Sequence, residues 1–170
     1  KTDLSAEEVL KIAKHSNVKL LKESTGRVAQ VAQIARERPE MSLMCCCSPN
    51  LGLIVPTMTL GGHGTANMTG NIIPREMAMI SKPWEKFEDV ENFQAAYLHN
   101  LPMLHYAYSA INPVPMKSLL AALGLPAGPL RKPQKHLRGA ALQRGLDVVQ
   151  ELRLVEAYGL SPINTLAAAE

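Results

Sequence analysis

The run Met41-Ser42-Leu43-Met44-Cys45-Cys46-Cys47 contains a single polar residue, Ser42. A strand that apolar must be covered on both faces, which is the mark of a parallel sheet lying under helices. The flanking sequence repeats the same logic. Ser5-Ala6-Glu7-Glu8 is a capping box, with Glu8 three residues after the cap Ser5. Val9, Leu10 and Ala13 then form the stripe of a short helix ending near His15. Asn17 turns the chain, residues 18–22 read as a short strand, and Glu23-Ser24-Thr25-Gly26 breaks it. Val28, Val31, Ile34 and Ala35 recur at helical spacing, with Pro39 just beyond. After the apolar run, Ser48-Pro49-Asn50 is a turn and residues 51–60 read as a helix despite Pro56. Gly61-Gly62-His63-Gly64 is a tight turn, residues 65–69 a third strand, and Pro74 the first position of a helix over 75–81.

From Pro83 onward the strands stop. Trp84, Phe87, Val90 and Ala95 predict a helix of about four turns, and residues 101–111 a separate one. Asn112-Pro113 reads as a cap and first helical residue, Met116, Leu119, Leu120 and Leu123 as the stripe, and Gly124 as the stop. A Pro/Gly loop leads to a last helix over 139–157, closed by Gly159. The expected organisation is therefore a partial (β/α) barrel over residues 1–83, a helical region over 84–160 and a loose tail over 161–170. Three parallel strands do not close a sheet, and a complete (β/α)₈ barrel takes about 250 residues. Such a chain is expected to be the back half of something larger, or to complete itself by association.

Composition removes several function classes. The 170 residues carry 18 basic and 15 acidic side chains, a net charge of +3 that is too mild to indicate nucleic acid. Aromatic residues make up 4%, too few for base-stacking platforms. No apolar run reaches the roughly 18–20 residues of a membrane span, and residues 1–8 are too polar for a secretory leader. The three cysteines are contiguous, which excludes a disulfide framework and points to a reducing, cytoplasmic compartment. Consecutive strand residues point to opposite faces, so Cys45, Cys46 and Cys47 suit packing better than a metal. His63, alone between glycines, reads as a turn residue, and Lys117 and Lys132 as solvated side chains. Gly62-His63-Gly64 is no dinucleotide fingerprint, since Asn67 stands where a third glycine belongs. Neither a metal nor a cofactor is expected.

Lys22 is the residue with chemistry to offer. It shares a strand face with Val18 and Leu20, at the C-terminal strand end where barrel active sites are built. Apolar neighbours desolvate an amine and favour its neutral, nucleophilic form, which Schiff-base chemistry needs. On spacing alone, a lysine extending into solvent from a strand end is the commoner case.

Three motifs shift that balance. Val18-Lys19-Leu20-Leu21-Lys22-Glu23-Ser24-Thr25-Gly26 resembles the lysine-bearing strand of the dihydrodipicolinate synthase / N-acetylneuraminate lyase family. Leu60-Gly61-Gly62-His63-Gly64-Thr65-Ala66-Asn67-Met68-Thr69-Gly70-Asn71 resembles its next-but-one strand. Asn112-Pro113-Val114-Pro115-Met116-Lys117, with Leu123-Gly124-Leu125 and Leu130-Arg131-Lys132-Pro133, is similar to its C-terminal helical signature and favours the synthase branch. Order and spacing agree from residue 4 to about 160.

The resemblance implies the C-terminal part of a TIM (β/α)₈ barrel followed by a helical C-terminal region, and a class I aldolase-type lyase. Lys22 would form an imine with pyruvate, and the derived enamine would attack aspartate semialdehyde to give 4-hydroxy-tetrahydrodipicolinate, on the route to diaminopimelate and lysine. Ala66 aligns with a position whose backbone lies beside pyruvate. Another pyruvate-dependent aldolase of the family, acting on a 2-keto-3-deoxy sugar acid or on N-acetylneuraminate, is the alternative, and a non-catalytic fragment is the alternative outside enzymes. The implied partners are small molecules and further copies of the chain, as a dimer or tetramer. The family's carboxylate-binding Thr pair and proton-shuttling Tyr lie upstream of the lysine strand, and Tyr97, Tyr106, Tyr108 and Tyr158 fall on no matching motif. Cys45-Cys46-Cys47-Ser48-Pro49-Asn50 also departs from the family's Gly-Asp/Asn turn.

Overall fold

β2 (Ser42–Cys46) is paired on both edges, with β1 (Leu20–Glu23) on one side and β3 (Thr65–Ala66) on the other, all parallel. A computed structural model describes residues 3–37 and 39–160 of the chain. They form two units, the described residues up to 67 with 75–98, and residues 68–74 with 99–160. The expected tail over 161–170 lies outside the described residues.

In the first unit, α1 (Ala6–Ala13) starts at the predicted capping box: the Glu8 N–H donates to Ser5 Oγ and the Ser5 N–H to Glu8 Oε2 at 2.7 Å. α2 (Val28–Glu37) buries Val31 and Ile34 completely, each side chain contributing roughly 1.5–3 kcal/mol. α3 (Ile54–Thr59) packs on α2 and on β2. It is shorter than the predicted helix because residues 49–51 form a separate 3₁₀ turn that ends at Gly52. β2 alternates as a strand must. Leu43 and Cys45 are buried on the helix-covered face, whereas Ser42 and Met44 on the other are only half-buried.

β3 stops after two residues instead of the five predicted. The Asn67 side chain donates to the Thr65 carbonyl (3.3 Å) and to Thr65 Oγ1 (3.1 Å), and so takes up groups at the strand end. Thr65 Oγ1 lies 2.6 Å from Ser81 Oγ at the end of α4 (Pro74–Ser81). Gly64 before it has φ +126°, and a Cβ there would stand 2.7 Å from the Ser81 carbonyl. No other residue type fits that turn without displacing backbone.

α5 (Phe87–Ala107) joins two segments that the sequence separates, running through Pro102. An interior proline costs about 3 kcal/mol. Burial of Met103, Leu104, Tyr106 and Ala107 in the turns that follow offsets it. The start of α5 is set by Asp89, which accepts from the Glu85 and Lys86 N–H groups (3.0 and 3.2 Å) and from Lys82 Nζ (2.6 Å). Near the same end, Phe93 meets Trp84 edge-on at 5.0 Å and stacks on Tyr97 at 5.5 Å.

In the second unit, α6 (Val114–Ala122) begins one residue later than predicted, with Pro113 at the cap. It ends as predicted, the Leu125 N–H donating to the Leu120 carbonyl and the Gly124 N–H to that of Ala121. Ser118 Oγ accepts from the Leu137 N–H at 2.8 Å, and Lys117 Nζ donates to the Pro129 carbonyl at 2.8 Å. Lys117 therefore ties down a loop. The last predicted helix is two, α7 (Gly139–Glu151) and α8 (Leu154–Tyr158), separated by Arg153 at φ +52°. Residues two apart in one helix point about 200° apart. The break lets Leu152 and Leu154 both be buried, against roughly 1–2 kcal/mol for the left-handed arginine. Gly145 of α7 lies against the Tyr106 ring, which any Cβ at that position would overlap.

Two outcomes follow from this packing. Lys82 and two backbone N–H groups hold the Asp89 carboxyl down at about 2. Its stabilisation is therefore complete above the ordinary carboxyl range and lost as pH falls through about 2. Asp89→Asn should lower the unfolding midpoint at neutral pH, with the gap to the parent closing between about pH 4 and 2 in a pH series of thermal melts. Gly145→Ala should cost about 1–3 kcal/mol in denaturant titration, because Tyr106 must leave its position.

Candidate active site

Lys22 is the penultimate residue of β1 and pairs in register with Met44 of β2, while Cys46 of β2 pairs with Ala66 of β3. Side chains alternate along a strand and align across a sheet. Leu20, Lys22, Ser42, Met44, Cys46 and Ala66 therefore share one face, and Leu21, Glu23, Leu43, Cys45 and Thr65 the other. Lys22 and Ala66, singled out in separate motifs, fall on the same face, about 10 Å apart across two strand spacings and about 7 Å offset along them. Lys19 has the opposite parity to Lys22 and is three residues away.

Lys22 and Leu20 are exposed. The apolar shielding expected around Lys22 is not supplied by the described residues, because the face that carries it belongs to strands paired only with one another. The opposite face is closed by helices, with Leu43 and Cys45 buried and Glu23 at 2% exposure. Glu23, expected to break the strand, is its last residue. Its Oε1 accepts from the Thr25 N–H (2.7 Å) and its Oε2 from Gln30 Nε2 (3.0 Å), which anchors the chain directly after Lys22. The spacing of Glu23 and Gln30, seven residues across a strand-to-helix turn, is the signal that could have been read.

The other candidates are structural in the fold. His63 Nδ1 accepts from the Leu43 N–H at 3.2 Å, and the His63 N–H donates to the Leu43 carbonyl at 2.7 Å. A cavity of about 330 Å³ beside it is lined by Ile34, Met41, Leu43 and Leu60, among others. It lies at the N-terminal strand ends, the end of a barrel associated with stability and not with catalysis. Cys45 and Cys47 are fully buried, and Cys46, at 8% exposure, is the one on the Lys22 face. Burial pushes the Cys45 thiol up to about 11, against a smaller opposing effect of Thr57. Among the described residues no cluster of three metal-ligating side chains occurs, and no helix is long and apolar enough to cross a membrane.

The sequence profile of the Dihydrodipicolinate synthetase family matches residues 1–151. The chain belongs to that family. It is 30% identical over 141 residues to 4-hydroxy-tetrahydrodipicolinate synthase of Lachnoclostridium phytofermentans, covering 82% of this chain and 46% of that protein. With the synthase of Caldicellulosiruptor bescii it shares 33% over 127 residues, 75% of this chain and 42% of the relative. The crystal structure of DHDPS from Cyanidioschyzon merolae with lysine bound superposes with a TM-score of 0.78 at 26% identity, over 90% of this chain and 51% of that one. The chain thus spans about half the length of the family members it matches. Its fold is part of the family's TIM barrel together with helices, and the exposed Lys22 face is the inner face of that barrel, seen with three strands present.

Thiol accessibility tests the placement of the three cysteines. In the folded protein at neutral pH, Cys45 and Cys47 should resist a thiol reagent and at most one thiol, Cys46, should react before unfolding. Peptide mapping after a timed pulse of reagent distinguishes the three, and early label on Cys45 would contradict the strand parity.

Proposed function

We propose that Lys22 is the Schiff-base lysine of a pyruvate-dependent lyase of the class I aldolase type, and that the protein condenses pyruvate with aspartate semialdehyde to give 4-hydroxy-tetrahydrodipicolinate. The observation that carries this reading is the position of Lys22. It stands at the C-terminal end of a barrel strand, on the face shared with Ala66, in a chain that belongs to the Dihydrodipicolinate synthetase family. The neutral amine attacks the keto carbon of pyruvate, and loss of water leaves an imine. Loss of a methyl proton from the imine gives the enamine, whose carbon attacks the aldehyde; the semialdehyde's own amine then attacks the imine carbon, which closes the ring and releases the Lys22 amine. Ala66 would contribute backbone beside the pyruvate carboxylate, with no demand on its side chain. The remaining barrel strands would enclose Lys22 and exclude water from the imine.

One observation favours a second aldehyde. Cys46 occupies the shared face between Lys22 and Ala66, on the strand that departs from the family's turn motif. A thiol there changes the wall that the second substrate meets, which suits another aldolase of the family as the runner-up. Three buried cysteines, none in a disulfide, fit a reducing, cytoplasmic setting, and assembly into a dimer or tetramer is part of the same proposal.

Incubating the full-length protein with pyruvate and borohydride should add one reduced-pyruvate mass, mapping to the peptide that contains Lys22. Lys19 is the internal control and should stay unmodified. Lys22→Arg should abolish trapping, since a guanidinium stays protonated and is not nucleophilic. Label that persists in Lys22→Arg, or that maps to Lys19, would overturn the assignment.

A further inference from the structure

We propose that Glu23 is a positioning residue for Lys22: its buried carboxylate, held by Gln30 and by the backbone of Thr25, sets the strand end from which the Lys22 amine reaches its substrate. The inference rests on the reading of Lys22 given above and adds to it a residue that never touches substrate.

A carboxylate is an expensive group to bury, and it persists only where hydrogen bonds replace its water. Its neighbours on the helix-covered face, Leu21, Leu43 and Cys45, are all apolar. A leucine would cover the same surface without that desolvation. The carboxylate therefore calls for a role that packing does not supply.

Its partners show what it ties together. Oε1 accepts from the Thr25 N–H at 2.7 Å, in the loop directly after β1. Oε2 accepts from Nε2 of Gln30, itself buried in α2, at 3.0 Å. The same Nε2 donates to the Leu4 carbonyl (3.1 Å), and Gln30 Oε1 accepts from Arg27 Nε (3.0 Å). Arg27 in turn grips both carboxylate oxygens of Asp3, at 2.9 and 2.8 Å, and donates to the Leu4 carbonyl at 2.8 Å. The segment before α1 and the first turn of α2 are thus linked through Gln30 to one carboxylate at the end of β1, on the residue next to Lys22.

Glu23 points away from the Lys22 face, so its influence passes through the backbone the two residues share. A lysine amine is the end of a long lever. A rotation of about 10° at the Lys22 backbone moves an extended amine by about 1 Å, and a misplacement of that size can cost roughly 100-fold in rate. The effect belongs to the bond-forming step. The pyruvate-binding groups themselves are left in place.

The test uses the full-length protein, pyruvate over a concentration series, and cyanoborohydride to trap the imine, with the folded fraction followed by circular dichroism. Glu23→Gln places an amide against the Gln30 amide, and Gln30→Glu places two carboxylates together. Each should lower the maximal trapping rate by about 10- to 100-fold while the pyruvate midpoint moves by less than about twofold. Glu23→Gln combined with Gln30→Glu restores the bond with reversed polarity. The amide at position 23 then donates to the carboxylate at position 30 and still accepts from Thr25; Arg27 keeps its partner at position 30 and its own bond to the Leu4 carbonyl, and only the bond from position 30 to Leu4 is lost. The double variant should return to within about threefold of the parent rate. Should Glu23→Gln not fold, Gln30→Ala removes the same bond without touching β1 and should slow trapping likewise. Parent-like maximal rates in folded single variants, a change confined to the midpoint, or a double variant that regains stability without rate would each overturn the positioning role. A parent protein that is not labelled at Lys22 would overturn the assignment of Lys22 itself, a result read before any variant of Glu23 or Gln30.

Discussion

The parallel pairing of β2 with a strand on each side is the constraint on which the rest of the first unit depends. It sets Lys22 against Met44 and Cys46 against Ala66, and so decides which side chains share a face. A slip of one residue would exchange the faces of an entire strand. Lys22 would then point into the helices and Glu23 toward the open face. The register is protected by the unequal character of the two faces. Leu43 and Cys45 are buried on the face that α3 covers, while Ser42 and Met44 tolerate half-burial.

Two carboxylates hold the joints around this sheet. Glu23 closes the turn from β1 into α2, and Asp89 closes the turn into α5. Both are buried, and both accept from backbone N–H groups that a turn would otherwise leave without partners. They differ in what surrounds them. Asp89 has a lysine ammonium at 2.6 Å and is a matter of local stability. Glu23 is held by a neutral amide that reaches on to the chain before α1, so its geometry is coupled to segments well removed in sequence. The joint that lies next to Lys22 is the one wired to the larger network.

The exposed inner face has a direct physical origin. In a closed barrel, inward side chains are covered by those of the other strands. Among the described residues three strands are present, and the chain spans about half the length of the family members it matches. Leu20 at 50% exposure and the open Lys22 lie on the face that the three described strands leave uncovered. The closed face, by contrast, is complete, because each helix that covers it follows its own strand in the chain.

Much of this protein was legible in the sequence, and the legible parts share a cause. The capping box at Ser5, the stop at Gly124, the proline opening α4 and the apolar alternation of β2 act through residues within one turn or two of each other. The family motifs were legible because they are contiguous runs. What the tertiary structure alone decided involves residues that meet from far apart, or burial that outweighs a local signal. β3 ends early because Asn67 takes the Thr65 carbonyl. α5 runs through Pro102 because the turns beyond it are buried. The final helix breaks at Arg153 so that Leu152 and Leu154 both reach the core. Cys46, and not its two neighbours, shares the Lys22 face because of a register set between strands. Glu23 reads as a strand end in the sequence and becomes an anchor only when Gln30 arrives beside it, itself held by the carbonyl of Leu4, 26 residues before Gln30. Local propensity is written in neighbouring residues; register, burial and buried hydrogen bonds exist only once distant segments are in contact.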